Sequence, residues 1–186
     1  MTSEVLFALV AAAALVVVLL AVVSIRRRRS RALAQRFGPE YDRTVEAVGK
    51  RSKAEAELEA RKRHVEHLQI RDLTAAERDR YAQLWHVAQE RFVDSPPLAV
   101  AEADQLVAEV MRVKGLPMAD FEQRAADISV LHPQLVTNYR AAHAIALSSA
   151  GQRAGTEDLR QAMVHYRALF EELLGAGVRE PELVPR

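Results

Sequence analysis

The chain has 186 residues, 49% of them apolar, with no Cys and a formal net charge of +1. Without Cys there are no disulfides, no Cys-ligated zinc, no iron–sulfur cluster and no thiol catalysis, a composition suited to a reducing compartment. The small net charge hides an asymmetry. Of 26 basic residues, six are arginines between Arg26 and Arg36, and one of the 25 acids, Glu4, precedes them, so from Gly38 onward 20 basic residues stand against 24 acidic ones. That mildly acidic remainder lacks the basic stripe of a nucleic-acid binder, and no nucleic-acid partner is expected.

In chain order, residues 1–4, MTSE, form a short N-terminus, and Val5 to Ile25 reads VLFALVAAAALVVVLLAVVSI, 21 residues with one Ser and no charge. At ~1.5 Å per residue it would span roughly 31 Å, against a hydrocarbon core of about 30 Å. The run predicts a transmembrane helix over 5–25, with the lipid bilayer as its partner. A cleaved signal peptide would need positive charge before the apolar run and small residues at a cleavage site after it; the flanks MTSE and RRRRSR offer neither. Arg26, Arg27, Arg28, Arg29 and Arg31 open a basic juxtamembrane linker over 26–38. Basic flanks stay cytoplasmic, so the reading is a single-pass protein of the cell membrane, its short N-terminus outside and its C-terminal domain inside. The plain role of these arginines is a stop-transfer and topology signal. Attraction to anionic lipid, worth ~1 kcal/mol per residue near the surface, is the alternative.

Residues 39–70 read as one long polar helix that starts with Gly38 at the cap and Pro39 at the first turn. Glu57–Arg61 and Glu59–Arg63 are favourable i,i+4 pairs. Ala54, Leu58, Arg61, Val65 and Leu68 follow a heptad rhythm, which Gly49, Ser52 and Arg61 interrupt. Two readings stay open: a membrane-proximal stalk that pairs as a coiled-coil homodimer through 39–68, or a helix packed on the rest of the chain.

A bundle of about five helices is expected over 74–174. Thr74 and Glu77 have capping-box spacing. Tyr81, Leu84, Trp85, Ala88 and Phe92 then share a face, and Pro96-Pro97 breaks and restarts the helix. The next stripe is Ala103, Leu106, Val107, Val110 and Val113, ended by Gly115. A shorter helix carries Met118, Phe121, Ala125 and Ile128, and another carries Leu135, Val136, Tyr139, Ala142 and Ala146. Thr156, as cap, starts the last helix, with the stripe Leu159, Ala162, Met163, Tyr166, Phe170 and Leu173 and Gly175 just past its end. Residues 175–186 are expected to be a disordered tail. No period-2 alternation marks a strand. The fold class is all-α: an N-terminal transmembrane helix, a long stalk-like polar helix and a compact bundle.

His64 and His67 have the spacing of a metal pair, but Arg61, Arg63 and Arg71 would repel a cation and no third ligand is evident. No metal and no cofactor are expected. His86 falls on the polar side of its helix. A loose polar cluster, Asp127, His132, Arg140, His143, Arg160, His165 and Arg167, lies at or near apolar stripes. Its functional version is a His acid or base with arginines holding an anion. Its plainer version is a set of satisfied core-edge groups that fix helix register. There is no HExxH and no Glu-x-x-His pair, and Gly151–Gly155 lacks the ending and preceding strand of a phosphate loop. Trp85 and Phe92 could face a partner, but at this spacing they read first as core.

The segments RFGPEYDRTV, FVDSPPLAVAEADQLV, FEQRAADISVLHP and TEDLRQAMVHYRALFEELL together resemble an uncharacterised group of bacterial single-pass, membrane-anchored helical proteins. The resemblance covers most of the chain after the apolar run. It implies an N-terminal anchor and a helical domain, and it carries over no catalytic residue. Some of the group are labelled secreted, which conflicts with the orientation the flanking arginines imply. The functional expectation is a non-enzymatic, membrane-tethered interaction or scaffold module at the inner face of the membrane, with a protein partner. One alternative is a small-ligand or catalytic site built from Arg140, His143, Arg160 and His165. The other is an envelope or lipid sensor that uses the arginine cluster and the long helix.

Overall fold

Capping and glycine chemistry set most of the helix boundaries in the computed structural model, which describes residues 2–117, 120–151 and 153–175, with the side chains of Thr2 and of 4–10 outside the described part. Eight helices follow in order among the described residues: α1 (Thr2–Phe37), α2 (Pro39–Val48), α3 (Arg51–Glu66), α4 (Ala75–Asp94), α5 (Pro96–Val113), α6 (Phe121–Leu131), α7 (Val136–Ala150) and α8 (Thr156–Leu173). The fold is all-α. The chain divides into two compact units, Met1–Leu58 and Glu59–Arg186.

In the first unit, α1 does not stop at the apolar run. The residues expected as a linker continue the helix to Phe37, since arginine and alanine are good helix formers and nothing before Gly38 breaks the turn. Among the described residues no helix is long and apolar enough to cross a membrane. The described apolar stretch of α1, Ala11 to Ile25, is 15 residues, roughly 22 Å of helix. Gly38 (φ +51) caps α2, with Pro39 in its first turn. The single long helix expected over 39–70 is instead two. Gly49 takes a left-handed conformation (φ +71) and its N–H closes on the Val45 carbonyl, which ends α2 two residues before α3 begins. Leu33, Phe37, Tyr41, Ala54 and Leu58 are buried, and so are Ser30, Glu40 and Thr44.

In the second unit, α3 ends at Glu66, the chain turns at His67 and Leu68 and reaches Thr74 without regular structure, and on the way the Arg71 N–H donates to the Lys114 carbonyl at 2.9 Å. Thr74 and Glu77 form the full capping box of α4. α5 is the central helix and packs against α4, α7 and α8, and α6 packs on α7. The core joins Tyr81 and Trp85, Val100, Val107 and Met111, Ile128, Tyr139, and Tyr166, Leu169 and Phe170. Trp85 stacks on Phe170 with ring centroids 4.7 Å apart, so it is core. Leu84, expected on the same buried face, is 42% exposed. α6 is buried on all sides from Ala125 to Val130, Asp127 and Ser129 included, where its sequence shows only a one-sided stripe. Gly155 caps α8, not Thr156, and its N–H donates to Asp158 Oδ2 at 2.9 Å. Met118 and the tail beyond Gly175 lie outside the described residues.

Candidate functional site

The polar residues singled out in the second unit separate into four groups. The largest surrounds Phe121 at the start of α6, which Asp120 caps by accepting from the Gln123 N–H at 2.9 Å. His143 of α7 lies flat on the Phe121 ring, with centroids 3.7 Å apart and planes 8° apart. Arg140, one turn earlier, reaches over the same ring and donates to Glu122 Oε2 at 2.8 Å. His143 Nδ1 is 3.7 Å from Asp104 Oδ1 of α5 and has no hydrogen-bond partner among the described residues. The Tyr166 hydroxyl donates to that Asp104 oxygen at 2.8 Å. The neighbouring Tyr139 hydroxyl accepts from Arg124 Nε at 3.0 Å. Burial, and then the Asp104 carboxylate, push the Tyr166 hydroxyl well above its ordinary range. Burial also raises Tyr139, against the lowering effect of Arg124. Both phenols therefore stay protonated near neutral pH, Tyr166 as a donor to Asp104 and Tyr139 as an acceptor from Arg124.

The second group is Asp127 on α6. Its Oδ1 accepts from Gln123 Nε2 at 2.9 Å and lies 3.6 Å from His64 Nε2, and its Oδ2 has no partner among the described residues. Burial outweighs both neighbours and raises its pKa. In the third group, His132 Nδ1 is 3.2 Å from Glu172 Oε1 across α6 and α8, and burial lowers its pKa despite that carboxylate. The fourth is superficial. Arg160 pairs with Glu157 at 2.7 Å and Arg167 with Glu171 at 2.6 Å along α8, and both arginines line a shallow groove with Trp85 and Phe92. His165 is half-buried.

Arg140 and His143 therefore come together, but among the described residues Arg160 and His165 do not join them. The sequence does carry the i,i+3 spacing of Glu157–Arg160 and the i,i+4 spacing of Arg167–Glu171, which mark these arginines as surface pairs. Sequence reading missed Asp104, Arg124 and the His64–Asp127 approach. Asp104 had a signal: it sits beside Ala103 and one turn before Val107 on the apolar stripe of α5.

No three His, Asp or Glu among the described residues are placed to hold a metal ion. His67 Nδ1 is instead 2.8 Å from the Arg63 carbonyl oxygen of its own helix. Arg26 to Arg29 and Arg31 are exposed along the last third of α1. Between α4 and α5 an apolar groove of about 370 Å³ stays open, floored by Leu84, Val87, Ala88 and Leu106 and edged by the Arg91–Glu102 ion pair. Comparison with protein-family models, curated proteins and solved structures finds no match, so the functional reading rests on these residues.

Proposed function

We propose that this chain is a membrane-tethered interaction module that holds a helical bundle at the inner face of a bacterial membrane and there binds a protein partner. The observation that carries the reading is the continuity of α1: one helix of 36 residues contains the uncharged run from Val5 and the arginine cluster after it. In sequence that run is 21 residues, the length of a bilayer core, and the arginines favour the cytoplasmic side. The polar groups of the bundle mostly satisfy one another, as they do in a scaffold. The α4–α5 groove, with an apolar floor and charges of both signs on its rim, suits the apolar face of an amphipathic helix from the partner.

In-cell crosslinking of the tagged full-length chain in its native membrane, read by quantitative mass spectrometry, tests this. One or two partners should be strongly enriched, and Leu84→Glu with Val87→Glu should remove them while the variant still folds by circular dichroism. Enrichment of the chain's own crosslinks alone, unchanged in the variant, would overturn the partner reading and favour a homodimer.

A further inference from the structure

We propose that the cleft lined by the end of α1 and the start of α3 is a binding site for a phosphate group, carried on an anionic phospholipid headgroup or free in solution. The cleft lies wholly within the first unit and measures about 850 Å³. Arg26, Arg27, Arg29 and Arg31 enter it from α1, and Arg51 and Ser52 from the first turn of α3. Five guanidiniums each carry five N–H donors in a planar fork that matches the oxygens of phosphate.

Among the lining residues Glu55 is the one carboxylate, and it is already engaged. Its Oε1 accepts from the Tyr41 hydroxyl at 2.8 Å, from Arg51 Nε at 3.1 Å and from the buried Ser30 hydroxyl. Arg51 Nε also donates to the Tyr41 oxygen at 2.8 Å. Burial alone would raise Glu55, but these hydrogen bonds hold its carboxyl below the usual range, so it stays ionised. This post, in which Ser30 and Tyr41 are buried and Glu55 is partly buried, fixes Arg51 by its Nε and leaves the outer nitrogens of its fork free of that bond. A single carboxylate against five cations leaves the cleft strongly positive, and like charges gathered in one cleft are stabilised by an anion between them. The Ser52 hydroxyl adds a further donor.

Helical geometry supplies an internal control. Arg28 stands two residues before Ser30, about 160° round the helix, and it does not line the cleft. A diffuse attraction to a negative surface would use all the arginines alike. A built site uses Arg27 and Arg31 and ignores Arg28. The proposal depends on the tethering reading only for lipid as the source of the phosphate.

The test uses the full chain in two settings. In zwitterionic detergent, inorganic phosphate is titrated by calorimetry. In nanodiscs of phosphatidylcholine with phosphatidylglycerol, the lipid retained on release is counted by native mass spectrometry. Such reconstitution avoids any effect of the substitutions on insertion. Wild type should bind, Arg27→Gln with Arg31→Gln should weaken binding about tenfold or more, and Arg28→Gln should change it less than about threefold. Retention of phosphatidylglycerol without affinity for inorganic phosphate would assign the headgroup as ligand. Affinity for both would assign phosphate itself. Equal losses in the Arg28 and Arg27/Arg31 variants, or no binding in either setting, would overturn the site. An anchor shown not to insert would leave the phosphate arm standing.

Discussion

Asp127 concentrates the electrostatic tension of the second unit in one side chain. Its carboxyl is buried, one oxygen lacks a partner among the described residues, and the other lies 3.6 Å from Nε2 of the half-exposed His64. Burial raises its pKa above the unfolded value near 4, so the native state binds the proton more tightly than the unfolded chain does. The contribution of Asp127 is therefore most favourable below pH ~4 and is lost as pH rises through the native value. Asp127→Asn should keep the bond from Gln123, remove that pH dependence, and raise the thermal midpoint at neutral pH by a few degrees, on the order of 1 kcal/mol. Thermal unfolding followed by circular dichroism from pH 4 to pH 8 checks this. A lower midpoint for the variant at neutral pH would mean that the contact with His64 more than offsets the burial.

Between elements, the connection from α3 to α4 is held by a close approach at the end of α5. Gly115 has φ +97, and a Cβ there would run into the backbone oxygen of Gln69. Gly175 is also left-handed (φ +75), but a Cβ would meet nothing within 4 Å. Gly115→Ala should therefore cost strain plus collision, at or above the upper end of about 1–3 kcal/mol, and Gly175→Ala about 1 kcal/mol. Urea denaturation of both variants separates the two contributions, and equal losses would mean that the 67–73 segment simply moves away. The break at Gly49 shows how far sequence reading reached at this scale. Residues 39–70 are rich in helix formers and their summed propensity favours one rod, yet a single left-handed glycine divides it. The sign of φ at a glycine is a property of the backbone path, and composition does not report it.

For the molecule as a whole, the proposed tether makes a prediction about sidedness. C-terminal fusions should give a fluorescent green fluorescent protein and an inactive alkaline phosphatase, because the former matures in the cytoplasm and the latter requires the oxidising side. The reverse pattern would overturn the orientation, and recovery of the chain in a carbonate wash would overturn the anchor.

Period and capping were enough to establish the helical class, the Thr74–Glu77 start of α4 and the buried face of α8, because such features depend on residues within two turns of one another. Only the tertiary structure decided that α6 is enclosed all round, that Leu84 faces outward and that Trp85 packs on Phe170. It also decided that Arg140 meets Glu122 and that His143 lies beside the Asp104 carboxylate to which Tyr166 donates. Each of those outcomes depends on which helix lies opposite. A one-dimensional stripe records that a face will be covered, and the packing of the other helices selects what covers it.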